Sequence, residues 1–154
     1  MAIARRDVLS LIAFFVLVAA AAAFGAQFSP GPWYESINKP SWNPPNSVFA
    51  PVWTALYICI AIAGWQVWRS MGSRTVALSL WFVQLVLNAL WSLLFFGMHR
   101  PDIAAFDIVL LLATIVAFIV LARRNSKLAS LLFVPYALWV AFATTLNLAI
   151  IQLN

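Results

Sequence analysis

Apolar runs of about 20 residues recur five times along this chain, each closed by a polar or charged interruption. The runs occupy residues 8–28, 47–67, 75–97, 103–122 and 128–153. The first is followed by a proline-rich polar stretch from Ser29 to Asn46, and the second is closed by Arg69 to Arg74. The third ends at Gly97, with His99, Arg100 and Pro101 beyond it, and Arg123, Arg124 and Lys127 follow the fourth. Runs this long suit helices and not the short alternating strands of a barrel. The pattern predicts an all-α membrane protein in which residues 1–154 form one bundle of five transmembrane helices. One long loop joins helices 1 and 2.

Composition narrows the class. The chain is 65% hydrophobic and 8% charged with a mean hydropathy of +0.97. An ordinary soluble domain is roughly 45–50% apolar and about 25% charged. A soluble enzyme and a disordered tail are therefore both excluded. The net charge of +5 does not indicate nucleic acid, because nine Lys and Arg spread among so many apolar residues form no dense basic patch. Charge sets orientation instead. With five crossings, Arg5, Arg6, Arg69, Arg74, Arg123, Arg124 and Lys127 share one side, and Lys39 and Arg100 fall on the other. The positive-inside rule then places the N-terminus inside and the long loop outside. Arg5, Arg6 and the Ala21-Ala22-Ala23 run resemble a secretory signal, but the apolar run exceeds the roughly 7–15 residues of a signal core, so a retained helix is expected.

Helical spacing sorts the polar and aromatic residues onto faces. In the third span Trp81, Gln84, Leu85, Asn88, Trp91 and Phe95 share a stripe. Amides facing lipid are costly, so this stripe should face the bundle, bonding neighbouring helices, a ligand, or both. Trp53, Tyr57, Ala61, Gly64 and Trp68 make a similar stripe in the second span, and Trp139, Ala143, Leu146, Asn147 and Ile150 in the fifth. Pro135, one turn before Trp139, is expected to bend that helix. Trp65 and Trp68 near a span end fit an interfacial belt, whereas Trp139 lies mid-span.

Topology brings Trp53, Tyr57, Trp91, Phe95, Asp107 and Asn147 to one leaflet beneath the long loop. Aromatic walls with a few amides describe a pocket for a flat, largely apolar molecule. Asp107 reads as the one acid inside a span and takes a functional reading by default, against capping its helix or meeting Arg100. His99 and Cys59, each the only one of its type, build neither a multi-ligand metal site nor an internal disulfide, so no metal centre is expected. A lone His99 offers at most one face of a haem iron. No Ser/His/Asp set, carboxylate pair or phosphate-binding glycine loop supports conventional catalysis.

Ordered motifs now carry a resemblance. The loop and second span read Trp33-Tyr34-Glu35-Ser36-Ile37-Asn38-Lys39-Pro40-Ser41-Trp42-Asn43-Pro44-Pro45, then Phe49-Ala50-Pro51-Val52-Trp53-Thr54-Ala55-Leu56-Tyr57. The third span gives Gln84-Leu85-Val86-Leu87-Asn88, Trp91 and Phe95-Phe96-Gly97, and the fifth gives Pro135-Tyr136, Trp139, Phe142-Ala143 and Leu146-Asn147. Over nearly its whole length the chain resembles the tryptophan-rich sensory protein family, also called translocator protein or peripheral benzodiazepine receptor. The resemblance implies a five-helix, often dimeric membrane protein that binds porphyrins and, in animal members, cholesterol and synthetic benzodiazepine-type drugs.

By position, Ala23, Ala26, Phe49, Val52, Trp53, Asn88, Trp91, Leu110, Trp139, Ala143 and Leu146 are similar to the family's ligand-lining residues. To these the stripes add Tyr57, Phe95 and Asn147. The loop residues Trp33, Lys39, Pro40, Trp42, Pro44 and Pro45 form the expected lid. If any residues are catalytic they are Trp53 and Trp139, which match tryptophans implicated in light-dependent porphyrin breakdown by bacterial members. The cholesterol motif of animal members is missing, since Leu146 to Asn154 holds neither Tyr nor a cation. Tetrapyrroles are therefore preferred over sterols.

The resulting expectation is a multi-pass homodimer of a bacterial membrane, requiring no cofactor and taking porphyrin or haem as ligand. Three functions stay open: a porphyrin receptor or carrier, a light-dependent porphyrin-degrading protein, and an assembly partner whose aromatic stripes only pack helices.

Overall fold

A computed structural model describes residues 5–154, and no strand occurs among them. Five helices are long and apolar enough to cross a membrane. Helix α1 spans Arg5–Ala26, α3 Asn46–Met71, α5 Pro101–Ala122 and α6 Lys127–Leu153. Helix α4 spans Val76–Ser92 and continues as a π-helical turn over Leu93–Gly97. A short helix, α2, spans Pro32–Ser36 within the long loop and was not legible as an apolar run.

The helix ends follow local chemistry more closely than apolarity. Helix α1 stops at Ala26, before Phe28, because the chain runs into Pro30, Gly31 and Pro32; Gln27 and Phe28 donate only to the carbonyls of Phe24 and Gly25. Helix α3 outlasts its apolar run by four residues. Its last turn carries Arg69, and Gly72 at φ 84° ends it, a left-handed conformation that favours glycine. The hydroxyls of Thr75 and Ser126 cap α4 and α6, accepting from the backbone N–H of Leu78 and Ala129 at 3.3 Å each. Pro101 opens α5 at its first turn, where no N–H is needed. Pro135 lies inside α6, which continues from Lys127 to Leu153.

The spans close a ring in the order α1, α3, α6, α5, α4, with α1 packed on both α3 and α4. Two cores divide its length. Toward the end that holds Arg69 and Lys127, the interior is close-packed around Ile60, Trp81, Phe118, Phe133 and Tyr136. At the loop end a smaller aromatic cluster gathers Tyr34, Phe95, Ala104, Leu146 and Ile150.

Two expectations are corrected here. Trp65 is buried between α1 and α3 and does not face outward as a belt residue would; its indole N–H lies 3.2 Å from the Asp7 carbonyl and 3.1 Å from the Ser10 hydroxyl. It follows Ala61 by one turn, so the small-residue face that admits α1 carries Trp65 inward as well. Asp107 is also not alone among acids on the spans, because Asp7 lies on α1 and Asp102 on α5. Asp7 pairs with Arg69 at 3.3 Å, and the Arg69 guanidinium lies 4.6 Å from the Trp65 ring centre.

Candidate functional site

Between the two cores lies a cavity of about 540 Å³. Its floor is a chain of hydrogen bonds made from the third-span stripe. Tyr57 Oη donates to Asn88 Oδ1 at 3.2 Å, and Asn88 Nδ2 donates to Tyr136 Oη at 3.0 Å. Tyr136 Oη donates onward to Gln84 Oε1 at 3.0 Å, and Gln84 Nε2 ends the chain on the Trp81 carbonyl at 2.9 Å. Three helices are thus pinned together by groups that would each be costly if left unpaired in an apolar interior. The interhelical role expected of the stripe is met at Asn88, which bonds two neighbouring helices and also lines the cavity.

The walls are aromatic. Trp53 faces Tyr57 at 5.2 Å between ring centres, and Trp139 packs against Phe49 at 5.8 Å. Trp91 stacks on Phe95 at 4.9 Å and 22°, and its indole N–H donates to Asn147 Oδ1 at 3.1 Å. Asn147 is held in turn by donating to the Pro101 carbonyl at 2.8 Å. The π-helical turn shapes this corner. The Met98 N–H reaches back to the Leu93 carbonyl at 2.7 Å, and the wider turn puts Phe95 and its neighbour Phe96 both on the cavity wall. No charged side chain is on the wall. Stacking faces and a few oriented amides suit the binding of a flat apolar molecule; no nucleophile stands beside a base.

The loop covers this chamber and is tied down at several points. Asn38 and Asn154 bond reciprocally: the Asn38 N–H donates to Asn154 Oδ1 at 2.9 Å, and Asn154 Nδ2 donates to the Asn38 carbonyl at 3.0 Å. Trp33 stacks on His99 at 4.5 Å and 13°. Lys39 Nζ donates to the carbonyls of Tyr34 and Ile37, folding the loop around one cation. Burial pushes the Tyr34 phenol above its usual 10.0, opposed by its hydrogen bond to Asn43. The Lys39 ammonium is one of these ties, and the loop should loosen when its charge is removed. Lys39→Met is expected to speed ligand entry and exit together by severalfold while changing affinity little. Stopped-flow fluorescence checks this, and unchanged rates would show that Lys39 does not restrain the loop.

Ala26, Phe49, Trp53, Tyr57, Asn88, Trp91, Phe95, Trp139, Ala143, Leu146 and Asn147 all line the cavity. Ala23, Val52 and Leu110 do not. Leu110 is 43% exposed on the outer face of α5, and its place is taken by Ile108 and Leu111. Ala22 and Gly25 replace Ala23, and Val52 packs into the core beside the cavity. A shift of one residue turns a helical side chain through about 100°, enough to separate inner from outer faces.

Of the lid residues, Trp33, Lys39, Pro40, Trp42, Pro44 and Pro45 shape the loop without lining the chamber. The loop residues on the wall are Phe28, Ser29, Pro30 and Tyr34. The Pro40 carbonyl accepts from the Asn43 N–H at 3.0 Å, Trp42 meets the edge of Phe142 at 5.8 Å, and Asn43 Nδ2 donates to the Pro44 carbonyl at 3.2 Å. Pro45 immediately precedes α3. Asp107 neither caps its helix nor meets Arg100, whose guanidinium binds Asp102 bidentately at 2.7 and 2.9 Å.

Comparison with known proteins converges on one family. The model of the TspO/MBR family matches residues 11–153. The chain is 42% identical to "Protein CrtK" of Rhodobacter capsulatus, over 92% of this chain and 90% of that protein. It is 42% identical to "Tryptophan-rich protein TspO" of Chlorobaculum tepidum, over 97% and 99% of the two chains. It is also 40% identical to the human "Translocator protein", over 75% of this chain and 70% of that one. Five membrane-spanning helices, a covered aromatic cavity and a family match over nearly the whole length agree: this chain belongs to the TspO/MBR family of integral membrane proteins.

Proposed function

We propose that this protein is a receptor or carrier for porphyrins. The observation that carries the reading is that Trp53, Trp91 and Trp139, from three different helices, meet on one uncharged cavity beneath the loop. Its volume of about 540 Å³ lies within the range of roughly 300–1,000 Å³ typical of small-molecule sites. Indole faces stack on a flat macrocycle, and the amides of Asn88 and Asn147 orient it. Sterols rank lower, because the cholesterol motif is missing from the end of α6. The charge distribution supports an N-terminus inside a bacterial membrane, with the loop and cavity toward the outer surface. A homodimer is part of the same proposal, testable by mass measurement in nanodiscs.

A second reading, light-dependent porphyrin degradation, is favoured by the position of Trp53 and Trp139. Both indoles are on the wall, where a photo-excited ligand would touch them. Titration with protoporphyrin IX, in the dark and under illumination, separates the readings. Saturable quenching of Trp fluorescence without turnover supports the receptor. A new pigment formed only while Trp139 is present supports degradation. Absence of binding in both conditions leaves the tryptophans as packing residues alone.

A further inference from the structure

The hydroxyls of Thr54, Ser70, Ser79, Thr114 and Thr144 each donate to the carbonyl one turn earlier, at 2.7–3.2 Å, which satisfies them inside apolar helices. Ser92 departs from this pattern. Its hydroxyl pairs with no described residue, at the point where α4 passes into the π-helical turn. The oxygen is not closed off, because among the described residues Asp107 Oδ2 is the one buried side-chain atom without a partner. Ser92 lines the cavity, one turn beyond Asn88 on the inward stripe. Across from it stands Gly25 of α1, another wall residue, where an added Cβ would lie 3.3 Å from Ser92 Oγ. The missing side chain at Gly25 thus leaves room beside the hydroxyl.

We propose that Ser92 determines specificity in the cavity: its hydroxyl donates to an acceptor oxygen of the guest, so that flat molecules carrying a carbonyl are preferred to hydrocarbons of the same shape. The inference rests on the reading of the cavity as a ligand pocket and specifies its chemistry. Other polar groups on the wall are already engaged. Asn88 and Asn147 hold neighbouring helices, the Trp91 N–H donates to Asn147, and the Tyr34 and Tyr57 hydroxyls donate to Asn43 and Asn88. An unpaired donor in an apolar site is costly, and a guest's acceptor removes that cost. The N–H groups of Trp53 and Trp139 bond to no described residue and are the competing donors.

The test compares 9-fluorenone with fluorene, two flat neutral tricycles that differ by a ketone in place of a methylene. Both are titrated calorimetrically in phosphatidylcholine nanodiscs. The fluorenone-to-fluorene affinity ratio should be about fivefold higher for the wild-type protein than for Ser92→Ala. Reading the ratio in the same bilayer cancels the partition of each probe into lipid. Fluorene affinity should be unchanged in Ser92→Ala, which also shows that the variant is folded. An equal ratio in the two proteins overturns the proposal and assigns any preference to the indole N–H groups. If Ser92→Ala binds neither probe, Ser92→Cys decides, because a thiol keeps the shape but donates weakly. A ratio lowered severalfold then supports the proposal, and an unchanged one overturns it. Binding of protoporphyrin IX and both probes with the ratio unaltered by substitution removes this inference alone. Failure of protoporphyrin IX and both probes to bind the wild-type protein removes the pocket reading with it.

Discussion

Gly64→Ala is expected to lose roughly 1–5 kcal/mol of bundle stability, a large effect for the addition of one methyl group. A Cβ at position 64 would lie 2.4 Å from Trp81 Cε2, 2.5 Å from its Nε1 and 2.9 Å from Phe14 Cδ1. Neither ring has room to retreat. Trp81 is fully buried, its N–H donates to the Ile60 carbonyl at 2.8 Å, and Phe14 stands edge-on to it at 5.0 Å. Overpacking of this kind costs about 1–3 kcal/mol, and a displaced indole that leaves the N–H and carbonyl unpaired costs about 1–3 more. The better helix propensity of alanine returns about 1 kcal/mol at most. Gly31→Ala is the matched control, since a Cβ there meets nothing within 4 Å. Unfolding in a denaturing detergent series should show a much earlier midpoint for Gly64→Ala than for Gly31→Ala. Coincident midpoints would mean that α1, α3 and α4 are not packed this closely.

The same glycine shows which features a linear reading captures. Gly64 is found by spacing alone, on the stripe with Trp53, Tyr57, Ala61 and Trp68, but spacing does not say that Trp81 of another helix fills the room it leaves. The amides behaved similarly. The cost of exposing Gln84 and Asn88 to lipid turned their stripe inward, and both are buried. Their partners Tyr57 and Tyr136 required the folded ring. Five spans were legible because a membrane-crossing helix must be long and continuously apolar, a constraint written in one dimension. The π-helical turn was not, because Leu93–Gly97 is as apolar as an α-helix would be. At this turn Gly97 lets Phe28 close against the helix: a Cβ there would sit 2.7 Å from the Phe28 ring. Tyr34 escaped notice for a related reason. It sits in a polar loop, and only the fold over the chamber turns it onto the wall. Leu110 and Ala23 came from family position, which fixes a place along a helix but leaves its rotation to be set by neighbouring helices.

Removing a wall indole should affect binding more than any change elsewhere in the chamber. Trp53→Leu and Trp139→Leu are each expected to weaken protoporphyrin IX binding about tenfold to a hundredfold. Each deletes the stacking face of an aromatic, worth roughly 0.5–1.5 kcal/mol, together with part of its buried area. The structural cost should be modest. Both rings are only partly buried and their N–H groups bond to no described residue, so neither substitution leaves a buried partner unpaired. Trp91 makes a poorer probe, because its loss also frees Asn147 Oδ1 and disturbs the corner held by Phe95. Trp65→Phe supplies the control from the opposite end of the bundle. It gives up the hydrogen bonds to Asp7 and Ser10, lowering stability by about 1 kcal/mol, and should leave porphyrin affinity unchanged. Dark titrations monitored by Soret absorbance avoid the fluorescence lost with each tryptophan. Affinity that falls equally for Trp53→Leu, Trp139→Leu and Trp65→Phe would point to general loosening of the bundle. Affinity that falls for none of them would place the porphyrin outside this cavity. A selective loss at Trp53 and Trp139 is the result expected if porphyrin occupies this chamber, because these two indoles face it while Trp65 joins helices at the other end.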